Sequence, residues 1–250
     1  MTLALQTRDL SRDWGKFRAN DGIALKVSAG ARHALIGPNG AGKTTLIHLL
    51  SGLLKPTDGD IWLYGERITQ LAPADRVARG LVRTFQISSL FHELTVLRSV
   101  LIPICQQKGI ATAWYTPLGK LDAECEEAHE LLSRLDLWRD RDTVVGTLAY
   151  GRQRLLDIAL ALAARPKMLL LDEPAAGVPE GESAELIQII ADLPRDVTVL
   201  LIEHDMDLVF RFAETITVMV AGRILTEGSV AEVVADARVR EVYLGETSHV

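Results

Sequence analysis

The run Gly37-Pro38-Asn39-Gly40-Ala41-Gly42-Lys43-Thr44-Thr45 restricts the possible folds of this chain more than any other feature. It follows the apolar pair Leu35-Ile36 and leads into Leu46, Ile47, Leu49 and Leu50, which share one face of a helix. Strand, G-x-x-x-x-G-K-T, helix is the context that a loop gripping nucleotide phosphates requires. Glycines let the backbone curl until successive N–H groups point inward, where a side chain would block the anion. The helix starting near Gly42 adds the positive end of its dipole. All nine residues form the expected phosphate-binding set, with Lys43 on the β- and γ-phosphates and the Thr44 hydroxyl on Mg²⁺. A chain with this loop is expected to bind ATP or GTP.

At 250 residues the chain can bury one substantial α/β core, or a core with a smaller lobe. Its content of 48% hydrophobic and 24% charged residues is ordinary for a globular protein and argues against disorder. The net charge of -6 gives no general attraction to nucleic acid, and no local basic patch offsets it. Cys105 and Cys125 lack metal-ligand spacing and are expected to be reduced thiols of a cytosolic protein. No stretch approaches 18 uncharged apolar residues, and Arg8, Asp9, Arg12 and Asp13 interrupt any signal-type apolar core. A membrane role would therefore act through a partner.

From Ser11 to Ile36 the sequence alternates, with turn signals at Asn20-Asp21-Gly22 and Ala29-Gly30, which predicts short antiparallel strands feeding the loop. Asp60 to Tyr64 reads as a strand and Leu97 to Leu137 as mainly helical, with a loop over Gly109 to Gly119. Met168 to Leu171 and Val197 to Ile202 are uninterrupted apolar runs, the pattern of parallel strands covered on both faces. They end at Asp172-Glu173 and Glu203-His204, and open α/β sheets bind ligands at such strand ends. Thr217 to Glu227 reads as a closing hairpin turning at Ala221-Gly222.

Asp172, emerging beside the nucleotide, is expected to hold Mg²⁺ together with Thr44. Glu173 next to it can polarise a water in line with the γ-phosphate, which turns a nucleotide binder into a hydrolase. Leu148-Ala149-Tyr150-Gly151-Arg152-Gln153 precedes an apolar helix whose Gly-containing start exposes N–H groups to an anion.

These segments occur in an order and spacing that resembles the ATP-binding-cassette transporter ATPases, from about Thr7 to the C-terminus. Val82-Arg83-Thr84-Phe85-Gln86, Asp172-Glu173-Pro174-Ala175-Ala176-Gly177, Ile202-Glu203-His204-Asp205-Met206 and Tyr243-Leu244-Gly245-Glu246 look like the branched-chain amino acid importer subunits and the related urea or amide importers. The resemblance implies an α/β P-loop cassette: a mostly parallel sheet core with an antiparallel β subdomain, built from residues 1–86 and 165–250, and an inserted helical subdomain at about 87–164. It places Trp14 against adenine, Gln86 at Mg²⁺ and the attacking water, and His204 on the γ-phosphate. Ala149, Tyr150, Gly151 and Arg152 would close over the nucleotide of an opposite subunit, so two ATP molecules lie between two cassettes.

The implied function is ATP hydrolysis driving import of branched-chain amino acids or a related amide such as urea. The implied partners are membrane permease subunits, a second cassette (this chain or a homologue) and a periplasmic or extracellular substrate-binding protein. The implied location is the cytoplasmic face of the membrane. Alternatives are the ATPase of another system in the subgroup, such as a lipopolysaccharide exporter, a soluble non-transport cassette, or a nucleotide-binding subunit with little turnover. The sequence also departs from the family pattern. Ala149-Tyr150 stand where Ser-Gly is commonest, Arg152 replaces Gln and is expected to add a cation near phosphate, and Pro179 replaces an Asp or Asn of a loop that crosses between subunits.

Overall fold

The apolar runs that bracket the phosphate loop become neighbouring strands. In the computed structural model the chain runs β1 (Leu3–Trp14), β2 (Phe17–Ile23), β3 (Lys26–Ser28), β4 (Arg32–Ile36), α1 (Lys43–Ser51), β5 (Asp58–Leu63), β6 (Glu66–Arg67), α2 (Pro73–Ala78) and β7 (Leu81–Arg83). It continues through α3 (Val96–Gln107), α4 (Asp122–Arg134), α5 (Tyr150–Ala163), β8 (Met168–Asp172), α6 (Glu180–Ala191), β9 (Thr198–Ile202) and α7 (Met206–Phe212). The hairpin β10 (Thr215–Val220) and β11 (Arg223–Gly228) and the helices α8 (Val230–Ala235) and α9 (Ala237–Glu246) complete the chain. The structure describes residues 2–84, 90–110 and 121–246, with side chains as far as Tyr243. Gln86, Phe85 and most of the expected Gly109 to Gly119 loop lie outside the described residues.

The chain divides into two units. The first comprises residues 1–83, 167–174 and 190–250. It holds a six-stranded sheet of order β11-β10-β4-β9-β8-β7, parallel except for the β10–β11 hairpin. β4, β9 and the first four residues of β8 are fully buried, as apolar strands sandwiched on both faces must be. A second, antiparallel sheet orders β2-β1-β5-β6, with β3 also paired to β1. Leu5, Leu10, Ile23, Val27, Leu46, Leu50, Ile61 and Leu170 belong to one apolar cluster, so the loop helix α1 is seated on the shared core of this unit.

The expected turn at Asn20-Asp21-Gly22 is not a turn but the second half of β2. The hairpin instead turns at Gly15-Lys16, between the paired residues Trp14 and Phe17. Tertiary bonds override the local signal: the Asp21 N–H donates to the Gly222 carbonyl at 2.9 Å, and Asn20 Nδ2 donates to the Gly42 carbonyl at 3.2 Å. The first strand also starts earlier than the alternation suggests, at Leu3, and bulges near Asp9, whose φ is 49°.

The second unit, residues 84–166 and 175–189, is helical, with α3 packed on α4 and α5, and α4 also on α5. Thr95 caps α3 by accepting from the Arg98 N–H, and Pro103 sits inside the same helix. Lys108 bridges Glu124 at 3.0 Å and Glu127 at 3.2 Å, and Glu127 also pairs with Arg165. Among the described residues, no helix is long and apolar enough to cross a membrane.

Candidate active site

β4 delivers the chain into the loop at Gly37, and α1 begins at Lys43. A Cβ at Gly37 would collide with the Met219 carbonyl, and one at Gly42 would sit 2.5 Å from the Ala19 carbonyl. With φ of 155° and 95°, both positions require glycine, because β10 and β2 approach the loop backbone too closely for any side chain. A cavity of about 270 Å³ opens there, lined by Phe17, Ala19, the loop residues Asn39 to Thr45, and Glu173. The Lys43 ammonium donates to the Gly37 and Pro38 carbonyls at 2.6 and 3.0 Å, which holds the charge inside the loop.

Strand pairing brings the two acidic strand ends together. β8 and β9 pair in parallel with Asp172 opposite Ile202, so Glu173 and Glu203 follow at the same end of the sheet, with His204 next. Glu173 takes a left-handed φ of 49° and its N–H donates to the Ile202 carbonyl at 3.0 Å. That conformation is costly for a residue with a Cβ, and it turns the carboxylate into the cavity. His204 Nδ1 lies 3.9 Å from Glu173 Oε1 and 3.7 Å from the buried Glu203, beyond hydrogen-bond range of both. Asp172 accepts a hydrogen bond from Arg83 Nη2 at 2.8 Å. Burial and the Arg83 charge hold the His48 imidazole below its ordinary pKa, with Asp172 acting the other way.

The aromatic side chain that lines the cavity is Phe17, a residue the sequence reading did not single out. Trp14 stands across the hairpin from it, 49% exposed, with the Arg12 guanidinium 4.2 Å above its ring. One face of the indole is thereby covered by a cation. Two aromatics flanking a Gly-Lys hairpin were the available sequence signal for Phe17. Arg83, from the Val82 to Gln86 segment, is the partner of Asp172, a pairing that nothing local in the sequence signals.

In the helical unit, α5 starts at Tyr150 with Ala149 at its N-cap, whose methyl group makes no cap bond. Arg154 Nη2 donates to the Tyr150 hydroxyl at 3.0 Å, and the Tyr150 ring rests against Gly177, where a Cβ would approach to 3.1 Å. Arg152, expected to offer a cation to phosphate, here binds Asp136 at 3.0 Å and Asp140 at 2.9 Å. Two carboxylates at this separation neutralise the guanidinium and fix its direction. Pro179 is exposed and lies one residue before α6.

Comparison with known proteins supplies the family. The profile described as ABC transporter matches residues 20–176, and one described as Branched-chain amino acid ATP-binding cassette transporter matches residues 223–249. The high-affinity branched-chain amino acid transport ATP-binding protein BraF of Pseudomonas aeruginosa is 40% identical, over 97% of this chain and 98% of its own length. The lipopolysaccharide export system ATP-binding protein LptB of Acidithiobacillus ferridurans is 34% identical over 98% of both chains. Among solved structures, the ADP conformation of MJ1267, an ATP-binding cassette of an ABC transporter, superposes with a TM-score of 0.83 at 33% identity, covering 98% of this chain and 100% of that one. Matched over most of its length, with its loop lysine opening α1 and its acids at the end of β8, the chain belongs to the ABC transporter family as an ATP-hydrolysing nucleotide-binding cassette.

Proposed function

We propose that this cassette energises a transporter importing branched-chain amino acids or a closely related small amide. The observation that carries the chemistry is a single cavity gathering the Asn39 to Thr45 loop and the Glu173 carboxylate. The observation that favours this cargo is the branched-chain profile at residues 223–249, joined to relatives bearing that name.

In this reading the loop N–H groups and Lys43 bind the triphosphate and orient its terminal phosphorus. The Thr44 hydroxyl in the cavity and the Asp172 carboxylate, whose Oδ1 stands outside the bond to Arg83, are hard oxygen donors of the kind that would hold Mg²⁺. When bound, Mg²⁺ neutralises charge on the phosphate oxygens. Glu173 accepts a proton from the attacking water and His204 holds that water or the γ-phosphate by a hydrogen bond. Gln86 serves the metal and the water, and the adenine stacks on Trp14. Ala149, Tyr150, Gly151 and Arg152 face the nucleotide of an opposite cassette. With Arg152 engaged by two acids, the backbone at the start of α5 becomes the main contact of that segment.

The partners are permease subunits, a second cassette and an external substrate-binding protein. The helical lobe at about 87–164 meets the permeases, and the cassette sits peripherally on the cytoplasmic face. A lipopolysaccharide export role is the second reading, favoured by the similarity to LptB. The test is reconstitution with the permease subunits that co-purify with the chain. Glu173→Gln is expected to lower ATP turnover at least about a hundredfold while ATP binding persists. Equal turnover in both versions removes Glu173 from its role. Transport of leucine, isoleucine or valine separates the two cargo readings.

A further inference from the structure

Arg83 closes β7, whose parallel pairing sets it opposite Leu170 and two residues short of Asp172 along β8. Its Nη2 meets Asp172 Oδ2 at 2.8 Å, with the two side chains only 15% and 21% exposed. The Nε of Arg83 is buried without a hydrogen-bond partner among the described residues, so the guanidinium holds the carboxylate through one nitrogen and one oxygen. A bidentate fork would occupy both oxygens of Asp172. The pair is dry enough for its charges to be felt well beyond contact distance.

We propose that Arg83 is a positioning residue that sets how strongly nucleotide binding depends on Mg²⁺. The inference rests on the reading of Asp172 as a residue that holds the metal. Arg83 fixes the orientation of Asp172 through Oδ2 and cancels its charge, leaving Oδ1 outside that bond. Two effects of opposite sign follow. In the absence of divalent cation, a carboxylate beside a triphosphate repels it, and Arg83 suppresses that repulsion. In its presence, Arg83 and Mg²⁺ draw on the same carboxylate, so the guanidinium weakens metal binding. Removing Arg83 therefore lowers metal-free nucleotide affinity and raises the gain that Mg²⁺ brings.

The test measures the affinity of the full chain for a non-hydrolysable ATP analogue by calorimetry, once in excess Mg²⁺ and once in EDTA. The quantity read is the ratio of the two affinities. For Arg83→Gln we expect this ratio to grow about tenfold, the order expected for one uncompensated charge partly screened by solvent. A variant merely loosened in its fold would lose affinity equally in both conditions and leave the ratio unchanged, which overturns the proposal. Asp172→Asn is expected to shrink the ratio, and the double variant Arg83→Gln/Asp172→Asn is expected to match Asp172→Asn alone. If Asp172→Asn leaves the ratio at the wild-type value, the metal role of Asp172 fails and the inference falls with it. If Asp172→Asn shrinks the ratio while Arg83→Gln matches wild type, the role of Asp172 stands and only the Arg83 inference is overturned.

Discussion

Replacing Arg76 by Met should unseat the far end of the phosphate-loop helix without touching the cavity. Arg76 lies on α2 with only 1% of its surface exposed. Its guanidinium donates to the carbonyls of Leu49 and Leu50, both at 2.7 Å, of Thr69 at 3.0 Å and of Leu71 at 3.1 Å. Leu49 and Leu50 lie in the last turn of α1, where carbonyls have no partner within the helix. Leu49 keeps a second bond, from the Gly52 N–H at 3.2 Å, so the substitution strands the buried carbonyls of Leu50 and Thr69 and the partly buried one of Leu71. At about 2 kcal/mol each, their loss costs roughly 6 kcal/mol.

Part of that cost is offset. Burial lowers the Arg76 pKa to about 10, which corresponds to about 3 kcal/mol of desolvation that a neutral Met does not incur. The expected net destabilisation is about 3 kcal/mol, or a fall in melting temperature of about 6 to 12 °C for a chain of this size. Urea unfolding with matched slopes for both proteins measures it. Arg76→Lys should recover little, because an ammonium cannot span four carbonyls fixed in the plane of a fork. A loss under about 1 kcal/mol, or a Lys variant as stable as wild type, would show that the carbonyls find other partners and refute the reasoning.

Lys43→Ala is expected to lower ATP affinity at least about tenfold, the loss of a charge-assisted bond, with an unchanged far-ultraviolet circular dichroism spectrum; unaltered binding would count against the loop assignment. Trp14→Ala and Phe17→Ala, compared with ATP and with inorganic triphosphate, assign the adenine contact: the reading requires Trp14→Ala to weaken ATP about tenfold and triphosphate not at all. His33, 1% exposed, has its pKa pushed down from 6.5 to about 4 by burial, so the folded state binds fewer protons than the unfolded chain between those values. Its contribution is therefore complete above pH 6.5 and is lost as the pH falls towards 4, by about 3 kcal/mol. Urea midpoints over that range should fall more steeply for wild type than for His33→Gln, and parallel curves would refute the assignment.

The identity of the buried basic residues shows where local reading stops. Arg32 and His33 occupy a strand buried at all five positions, which an apolar-run criterion would not include. Arg32 is accommodated because it donates to the carbonyls of Ala191 at 3.0 Å and Val197 at 2.8 Å, more than 150 residues away. His33 Nε2 lies 2.8 Å from the Thr217 hydroxyl, which itself donates to Glu227 at 2.7 Å. Because the hydroxyl proton is committed to Glu227, the imidazole donates from Nε2, and burial disfavours its charged form. Their partners belong to strands and loops that meet them only after folding.

By itself the sequence determined the phosphate loop, the two acid-ended parallel strands and the closing hairpin. Each depends on residues within about ten positions of one another, where spacing alone sets the geometry. It also determined that Asp172, Glu173 and His204 emerge at strand ends, since an apolar run of fixed length must finish where its polar residues begin. Only the tertiary structure decided that Asn20 to Gly22 extend a strand, that Phe17 lines the cavity, that Arg152 turns to Asp136 and Asp140, and that Arg83 grips Asp172. In each of these a side chain or backbone group chooses among partners distant in sequence. That choice is made by burial and charge pairing in three dimensions, where local propensity has no vote.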